Sequence, residues 1–463
     1  MHRYYSIGAG LLLALAFPKF DLWWLAWVAL VPFFIVLDRA EKPRAAARAA
    51  LWFGLPFFGC TLFWVTSLSR YVGLWAYVAW LCLIVFQTLF VVLFAVCSYR
   101  LAGFWKAVLW VLLVELARAW GPFGVTAGGI GYSQVQLLPL VQIAAFSQVY
   151  GVSFLVVFCN AALADVVATF RSPAGNGGLK PAATLGLAIV LILIAWTYGE
   201  TTINNSKLLT NNLPRIALLQ PNIDQFDRMN QSLVNRNFAL QAEMAREAAK
   251  SKPEVIVWPE TALYAYILRD PLIFQRFREL ARETGAWQVV GTAHYDYDGL
   301  IYNSIIAITP SGEVTARYDK ENLVPFGEYL PFRPFLLPLL RSTGYFSQDF
   351  AANPRSVPLP VAGRQVAAGV CFESTFPAAM KKRVKPDSAY ILILTNDAWF
   401  DDSAAPYIHY NCGIFRAIEN RRWFVQCGNS GISAVIDPWG RAVKRTKVGS
   451  RALLLLGKTE PGL

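Results

Sequence analysis

Residues 365–374 read QVAAGVCFES. The run from Val366 to Val370 is small and apolar, and it closes on Cys371 with Glu373 two places on. A short unbroken apolar run that ends on polar groups is the pattern of a strand buried on both faces. The same texture recurs in RIALLQ (215–220), EVIVWP (254–259), WQVVGTAH (287–294), SIIAI (304–308) and YILILTN (390–396). Between these runs, QSLVNRNFALQAEMAREAAK and PLIFQRFRELARETG have helical spacing, the second stopped by Gly285. Further on, YIHYNCGIFRAIENRR reads as an amphipathic helix, and TPSGE (309–313) and DPWGR (437–441) read as turns between strands. Strands alternating with helices from about residue 214 predict an α/β domain.

Upstream the texture is different. The chain of 463 residues is 56% hydrophobic and only 16% charged, with 16 Trp, and its long apolar runs lie before about residue 200. A membrane helix needs about 20 apolar residues, fewer where flanking side chains snorkel. Seven candidate spans follow, at about 5–17, 21–37, 51–68, 72–97, 103–119, 142–169 and 182–198. The predicted organisation is a transmembrane domain of about seven helices over 1–200 and a catalytic domain over 201–463. The first span, HRYYSIGAGLLLALAF, also has the layout of a signal peptide with Ala14-Leu15-Ala16 at its end. A second apolar span follows at once, as in a polytopic protein.

Loop charge sets the orientation. With a cytoplasmic N-terminus, the inside segments hold nine basic residues: Arg3, Arg39, Lys42, Arg44, Arg48, Arg100, Lys106, Arg171 and Lys180. The outside loops hold three, Lys19, Arg70 and Arg118. Seven crossings then put everything after residue 200 on the extracytoplasmic side. The net charge of +12 comes without a sustained Lys/Arg stripe, so work beside anionic headgroups is favoured and nucleic acid is set aside.

Of seven cysteines, Cys60, Cys82, Cys97 and Cys159 fall in the apolar spans and read as small apolar residues. Cys412 and Cys427 are a possible pair in an oxidising compartment, which spacing leaves open. With three His and no C-x-x-C, neither a metal nor a cofactor is expected.

Polar residues just after apolar strands are the candidates for chemistry. VIVWPE ends in Glu260; RYDKENLVPFGEYLPF supplies Lys320 and Glu328; GVCFES supplies Cys371 and Glu373. A thiolate attacks, a carboxylate moves its proton, and an ammonium with the backbone N–H of Phe372 holds an oxyanion. That set performs acyl transfer through a thioester. On spacing alone the alternative stays open: a buried structural thiol beside surface ion pairs.

The segments WPE (258–260), YDKENLVPFGEYLPF (318–332), GVCFE (369–373), TNDAWF (395–400), His409 with RAIENRR, and GNSGISAVIDPWG resemble the carbon–nitrogen hydrolase (nitrilase) superfamily. With LALAFPKFDLWWLAWVALVPF and the IGYSQ region, nearly the whole chain is similar to the bacterial apolipoprotein N-acyltransferase family. The resemblance implies an αββα sandwich beside a bundle of membrane helices in the bacterial inner membrane. It implies Glu260 as general base, Lys320 as oxyanion stabiliser and Cys371 as nucleophile, with Glu328 and Glu373 in support and Asn396 and Trp399 near the pocket wall. The implied donor is a glycerophospholipid, and the implied acceptor is the α-amino group of a diacylglyceryl-modified apolipoprotein. The apolar segment PFRPFLLPLLRSTGYF is either a lid on the bilayer surface or a Pro-broken core loop.

Three departures bear on the acceptor. Where the family carries a last membrane helix, the chain reads RALLLLGKTEPGL, in which LLLL is too short to span. Met229 stands where a Trp is common, and Phe372 where a Tyr is common. The rival readings are a membrane-tethered amidase, a transferase to another amine, and a scaffold that has lost its activity.

Overall fold

The computed structural model describes residues 2–171, 181–206, 213–340, 348–353 and 357–456. The chain divides into two compact units, Met1–Asn205 and Ser206–Leu463.

The first unit is helical. Among the described residues, three helices are long and apolar enough to cross a membrane: Trp75–Ser98, Ala144–Thr169 and Pro181–Asn204. A fourth is possible if Pro43–Thr61 and Phe63–Val72, bent by 51°, form one span. The remaining expected spans are shorter or broken: the first helix is His2–Ala14, the second apolar region is a 3-10 turn Trp23–Trp27 followed by Val31–Asp38, and Gly103–Leu109 runs into a π-turn at Trp110–Leu116. Breaking a helix in apolar surroundings frees backbone groups that need partners. Asn160 supplies them at one break, donating to the carbonyl of Ala26 and accepting from the N–H of Leu30. Gln134 donates to the Trp23 carbonyl and accepts from the Trp27 indole. An aromatic core of Phe33, Phe53, Phe57, Phe94 and Trp110 fills the unit, with Phe33 stacked on Phe53 at 4.6 Å.

Two of the charges counted as loop charges are buried instead. Lys106 pairs with Asp38, and Arg118 donates to the carbonyls of Val114 and Ala127. Removing each from its side leaves eight basic residues against two, and the bias keeps its sense.

The second unit is an αββα sandwich of two six-stranded sheets. The first runs in the order β12 (Ala452–Leu456), β1 (Ile216–Gln220), β2 (Val255–Val257), β3 (Trp287–Tyr295), β4 (Ile301–Ile308), β5 (Val314–Asp319). The second runs β11 (Ala442–Arg445), β10 (Ala434–Ile436), β9 (Trp423–Gly428), β8 (Ser388–Thr395), β7 (Arg364–Val370), β6 (Leu359–Val361). β1, β2 and β3 are mutually parallel, as are β7, β8 and β9. Alternate residues of each strand serve different cores. Leu218, Val257, Val289, Val370, Leu392 and Val425 pack between the sheets, while Ala217, Leu219 and Ile256 face the helices Val234–Ala249 and Pro271–Thr284. Burial on both faces is why these strands carry no polar alternation.

All six strands read from sequence form. LLLL is part of β12, paired antiparallel with β1; Leu454 and Leu456 enter the inter-sheet core, and Leu453 and Leu455 the helix side. The helix Ala405–Asn420 is not amphipathic: apart from Tyr407 and Ile408 it is buried all round. It lies against β9, β10 and the turns after β7 and β8, and Gly413 meets the ring of Phe424. No disulfide joins Cys412 to Cys427, and Cys427 Sγ instead donates to the carbonyls of Leu219 and Val257.

Candidate active site

Three strand ends deliver the residues singled out by sequence. Glu260 stands three places after β2. The turn that carries it presses on β3, with the N–H of Trp258 donating to the Val289 carbonyl and that of Ala262 to the Gly291 carbonyl. A Cβ at position 291 would collide with the backbone of Pro259 and Glu260, so only glycine permits this approach.

Lys320 directly follows β5. Its N–H donates to the carbonyl of Asn303, and its ammonium, 1% exposed, lies 2.8 Å from Glu328 and 4.0 Å from Glu260. The Asn303 amide joins the two carboxylates, donating to Glu260 Oε1 (2.7 Å) and Glu328 Oε1 (2.8 Å). Glu328 also accepts from the N–H of Val324. Glu328 thus holds the lysine ammonium from one side and the Val324 backbone from the other.

Cys371 follows β7 with φ +50°, the left-handed region. For a residue with a side chain this conformation costs about 1–3 kcal/mol and persists only where neighbours enforce it. The enforcing groups are Ser374, whose hydroxyl donates to the Cys371 carbonyl, Thr375, which donates to the Phe372 carbonyl, and Glu373, which accepts from the Val370 N–H. Phe372 packs edge-on against Phe376 at 4.8 Å. Glu373 is fully buried. It accepts from the Tyr318 hydroxyl (2.8 Å), from the N–H groups of Glu321 and Asn322 (2.9 Å each), and from Arg383 (2.5 Å). It thus ties the cysteine turn to the segment that carries Lys320.

Electrostatics follow from burial. Burial raises the Glu260 carboxyl above its ordinary value, Glu328 adds to this, and Lys320 and the Asn303 hydrogen bond oppose it. Burial works against the Lys320 ammonium, but Glu328 and Glu260 outweigh it and keep the lysine charged. The Cys371 thiol is pushed well up, by burial first and then by Glu260, with Lys320 pulling the other way. The arrangement is a thiol, a carboxyl and a fixed cation, each bearing on the others' charge.

Asn396, just after β8, lies in a polar network with Gln225, Arg228 and Asn429. Trp399 is half-buried in the turn Asp397–Phe400. Met229 ends the short helix Gln225–Met229 with its side chain exposed. Sequence reasoning missed Asn303, Tyr318, Arg383 and Asp397. Asn303 and Tyr318 lie inside strands, where the strand-end rule does not look. Among the described residues, Cys371, Asp397 and His409 are the group whose Cys, His and carboxylate atoms come within 4.8 Å of one another.

Residues 215–455 match the carbon–nitrogen hydrolase family, and residues 9–162 match the apolipoprotein N-acyltransferase N-terminal domain. The apolipoprotein N-acyltransferase of Geobacter metallireducens is 33% identical, over 97% of this chain and 88% of that protein. The chain belongs to the apolipoprotein N-acyltransferase family. The Pasteurella multocida member is 31% identical over 95% of this chain and 86% of its own length. An amidase from Nesterenkonia sp. AN1 is similar over 53% of this chain and 93% of its own, at 20% identity and a TM-score of 0.40. Membership of the family covers both units, so the helical unit is as much a part of the likeness as the sandwich.

Proposed function

We propose that the chain moves a fatty acyl group from a glycerophospholipid to the α-amino group of a diacylglyceryl-cysteine at the N-terminus of an apolipoprotein. Cys371 attacks the donor ester carbonyl while Glu260 takes the thiol proton. The ester C–O bond breaks, a thioester forms, and Glu260 returns the proton to the departing lysophospholipid. The amine then attacks the thioester, Glu260 accepts its proton, an amide forms and the thiol is restored. Lys320 and the Phe372 N–H hold the oxyanion of both tetrahedral states. Glu328 and Asn303 hold the lysine and the base in place.

The observation that carries this reading is the cation of Lys320, buried between two carboxylates next to a cysteine on a strained turn, in a chain that matches the family over both units. We further propose seven crossings with the N-terminus inside, which places the sandwich on the extracytoplasmic side, where lipoprotein precursors carry their lipid. The segment 331–340 is read as a bilayer-facing lid. The core-loop alternative is at odds with Phe335 and Leu339, which are 78% and 60% exposed; the rest of PFRPFLLPLLRSTGYF, residues 341–346, lies outside the described residues.

Intact-protein mass spectrometry of wild type and Cys371→Ala after incubation with phospholipid tests the reading. An acyl mass on wild type alone, discharged by a diacylglyceryl-cysteine peptide that becomes N-acylated, supports it. An adduct discharged only to water points to a hydrolase, and one discharged only to other amines to a different acceptor.

A further inference from the structure

Asp397 and His409 belong to neither the strand-end set nor the machinery described above, yet they sit against the nucleophile. His409 Nδ1 and Asp397 Oδ1 are 2.7 Å apart, and Thr395, at the end of β8, donates to the same oxygen. Both residues are buried, and their ligand atoms fall within 4.8 Å of Cys371 Sγ. The other oxygen, Asp397 Oδ2, has no hydrogen-bond partner among the described residues and packs on the Cα of Gly431, where no Cβ would fit. An acid held this closely is a burden on the nucleophile. A thiolate on Cys371 would face the carboxylates of Glu260 and Asp397, with Lys320 as the opposing cation, itself already shared between Glu260 and Glu328.

We propose that His409 is a positioning residue held as an imidazolium by Asp397, and that its charge cancels that of Asp397 so that Cys371 can ionise. The inference rests on the reading of Cys371 as the nucleophile. Among the described residues, the charged groups that bear on Cys371 are Glu260 after β2, Lys320 after β5, Asp397 after β8 and His409 from the helix Ala405–Asn420, with the Thr395 hydroxyl hydrogen-bonded to the thiol. Those facing His409 are Asp397, Glu260 and Lys320. Burial disfavours the charged ring, but Asp397 outweighs it and leaves His409 above the ordinary histidine value. Asp397 thereby turns from an obstacle into the anchor of a compensating charge.

The test is iodoacetamide alkylation of Cys371 against pH in the purified full chain, followed by peptide mass spectrometry, which needs no lipid substrate. His409→Gln uncovers the Asp397 charge. Its alkylation at pH 7 is expected to slow by about tenfold, the effect of one pKa unit, with the pH midpoint moved up. The double variant Asp397→Asn with His409→Gln removes both charges and is expected to regain much of the lost rate. A packing role predicts the opposite, because the double variant would be worse. A wild-type profile in His409→Gln, or a double variant no faster than the single, overturns the proposal. Should the variants fail to fold, histidine NMR of wild type decides, since the chain has only three His. One ring titrating above about 6.5 supports the pair, and no ring titrating above it overturns the proposal. If these shifts appear while wild type forms no acyl adduct, the pair stands and the proposed function falls.

Discussion

Arg383 Nη2 meets Glu373 Oε1 at 2.5 Å with both side chains shut away from solvent. The pair is the knot of the site rather than part of its chemistry. Glu373 grips the backbone on either side, at Val370 before the cysteine and at Glu321 and Asn322 after the lysine. Arg383 binds Glu321 and Asn322 as well. Glu373→Gln keeps the volume but leaves the guanidinium without its closest counter-charge. Breaking a buried pair from one side costs about 3–5 kcal/mol. A clear drop in thermal midpoint is expected, with acyl-adduct formation reduced even at temperatures where the protein stays folded. A variant with unchanged midpoint would show that the pair contributes nothing to holding the site.

Asn303 donates to Glu260, the proposed proton acceptor. Its amide favours the charged form of Glu260, so Asn303→Leu is expected to raise an already raised carboxyl further. Glu260 works as a base only when ionised. The rate of adduct formation in wild type therefore falls as pH drops through a value above 4.5, the ordinary glutamate value. In Asn303→Leu that fall comes at higher pH, and the rate at neutral pH is lower. Measuring adduct formation from pH 4 to pH 9, roughly the span over which carboxyl and thiol groups titrate, checks both statements.

Phe372 replaces a common tyrosine, but its proposed contribution is the backbone N–H, while its ring packs on Phe376. Phe372→Tyr is expected to change the rate by less than about threefold, since exposed or half-buried substitutions away from a specific contact stay within about 0.5 kcal/mol. A tenfold gain would mean that a hydroxyl at this place takes part in the reaction.

Phe335 and Leu339 stand out from the helix Arg333–Leu340. In the full chain reconstituted in bilayers, replacing both by Ser should leave the thermal midpoint unchanged and weaken quenching of a fluorophore on this helix by spin-labelled phospholipid by about tenfold or more, because each CH2 buried in the bilayer contributes about 0.8 kcal/mol. Equal quenching before and after would remove this segment from the membrane surface.

The strands were legible because burial on both faces writes an uninterrupted apolar run, and the ends of β2 and β7 led directly to Glu260 and Cys371. The helix at 405–420 was legible as a helix but not in its surroundings. Its periodicity shows polar residues on one side, and only the tertiary structure reveals that β9, β10 and two turns cover that side as well. The LLLL run was read only as too short for a membrane helix, and the tertiary structure makes it part of β12, an edge strand paired with β1.

Sequence by itself determined the residue types, their order, and the two textures that separate an apolar helical unit from an α/β unit. Whether Glu373 serves the cysteine or the lysine, and what lies across from His409, was decided only by the tertiary structure. The physical reason is distance along the chain. Glu260 and Asn303 are 43 positions apart, and Tyr318 and Glu373 are 55 apart. No local pattern encodes contacts of that span: the first exists because β2 and β4 flank β3 in one sheet, and the second because the two sheets stack and set the end of β5 against the turn after β7.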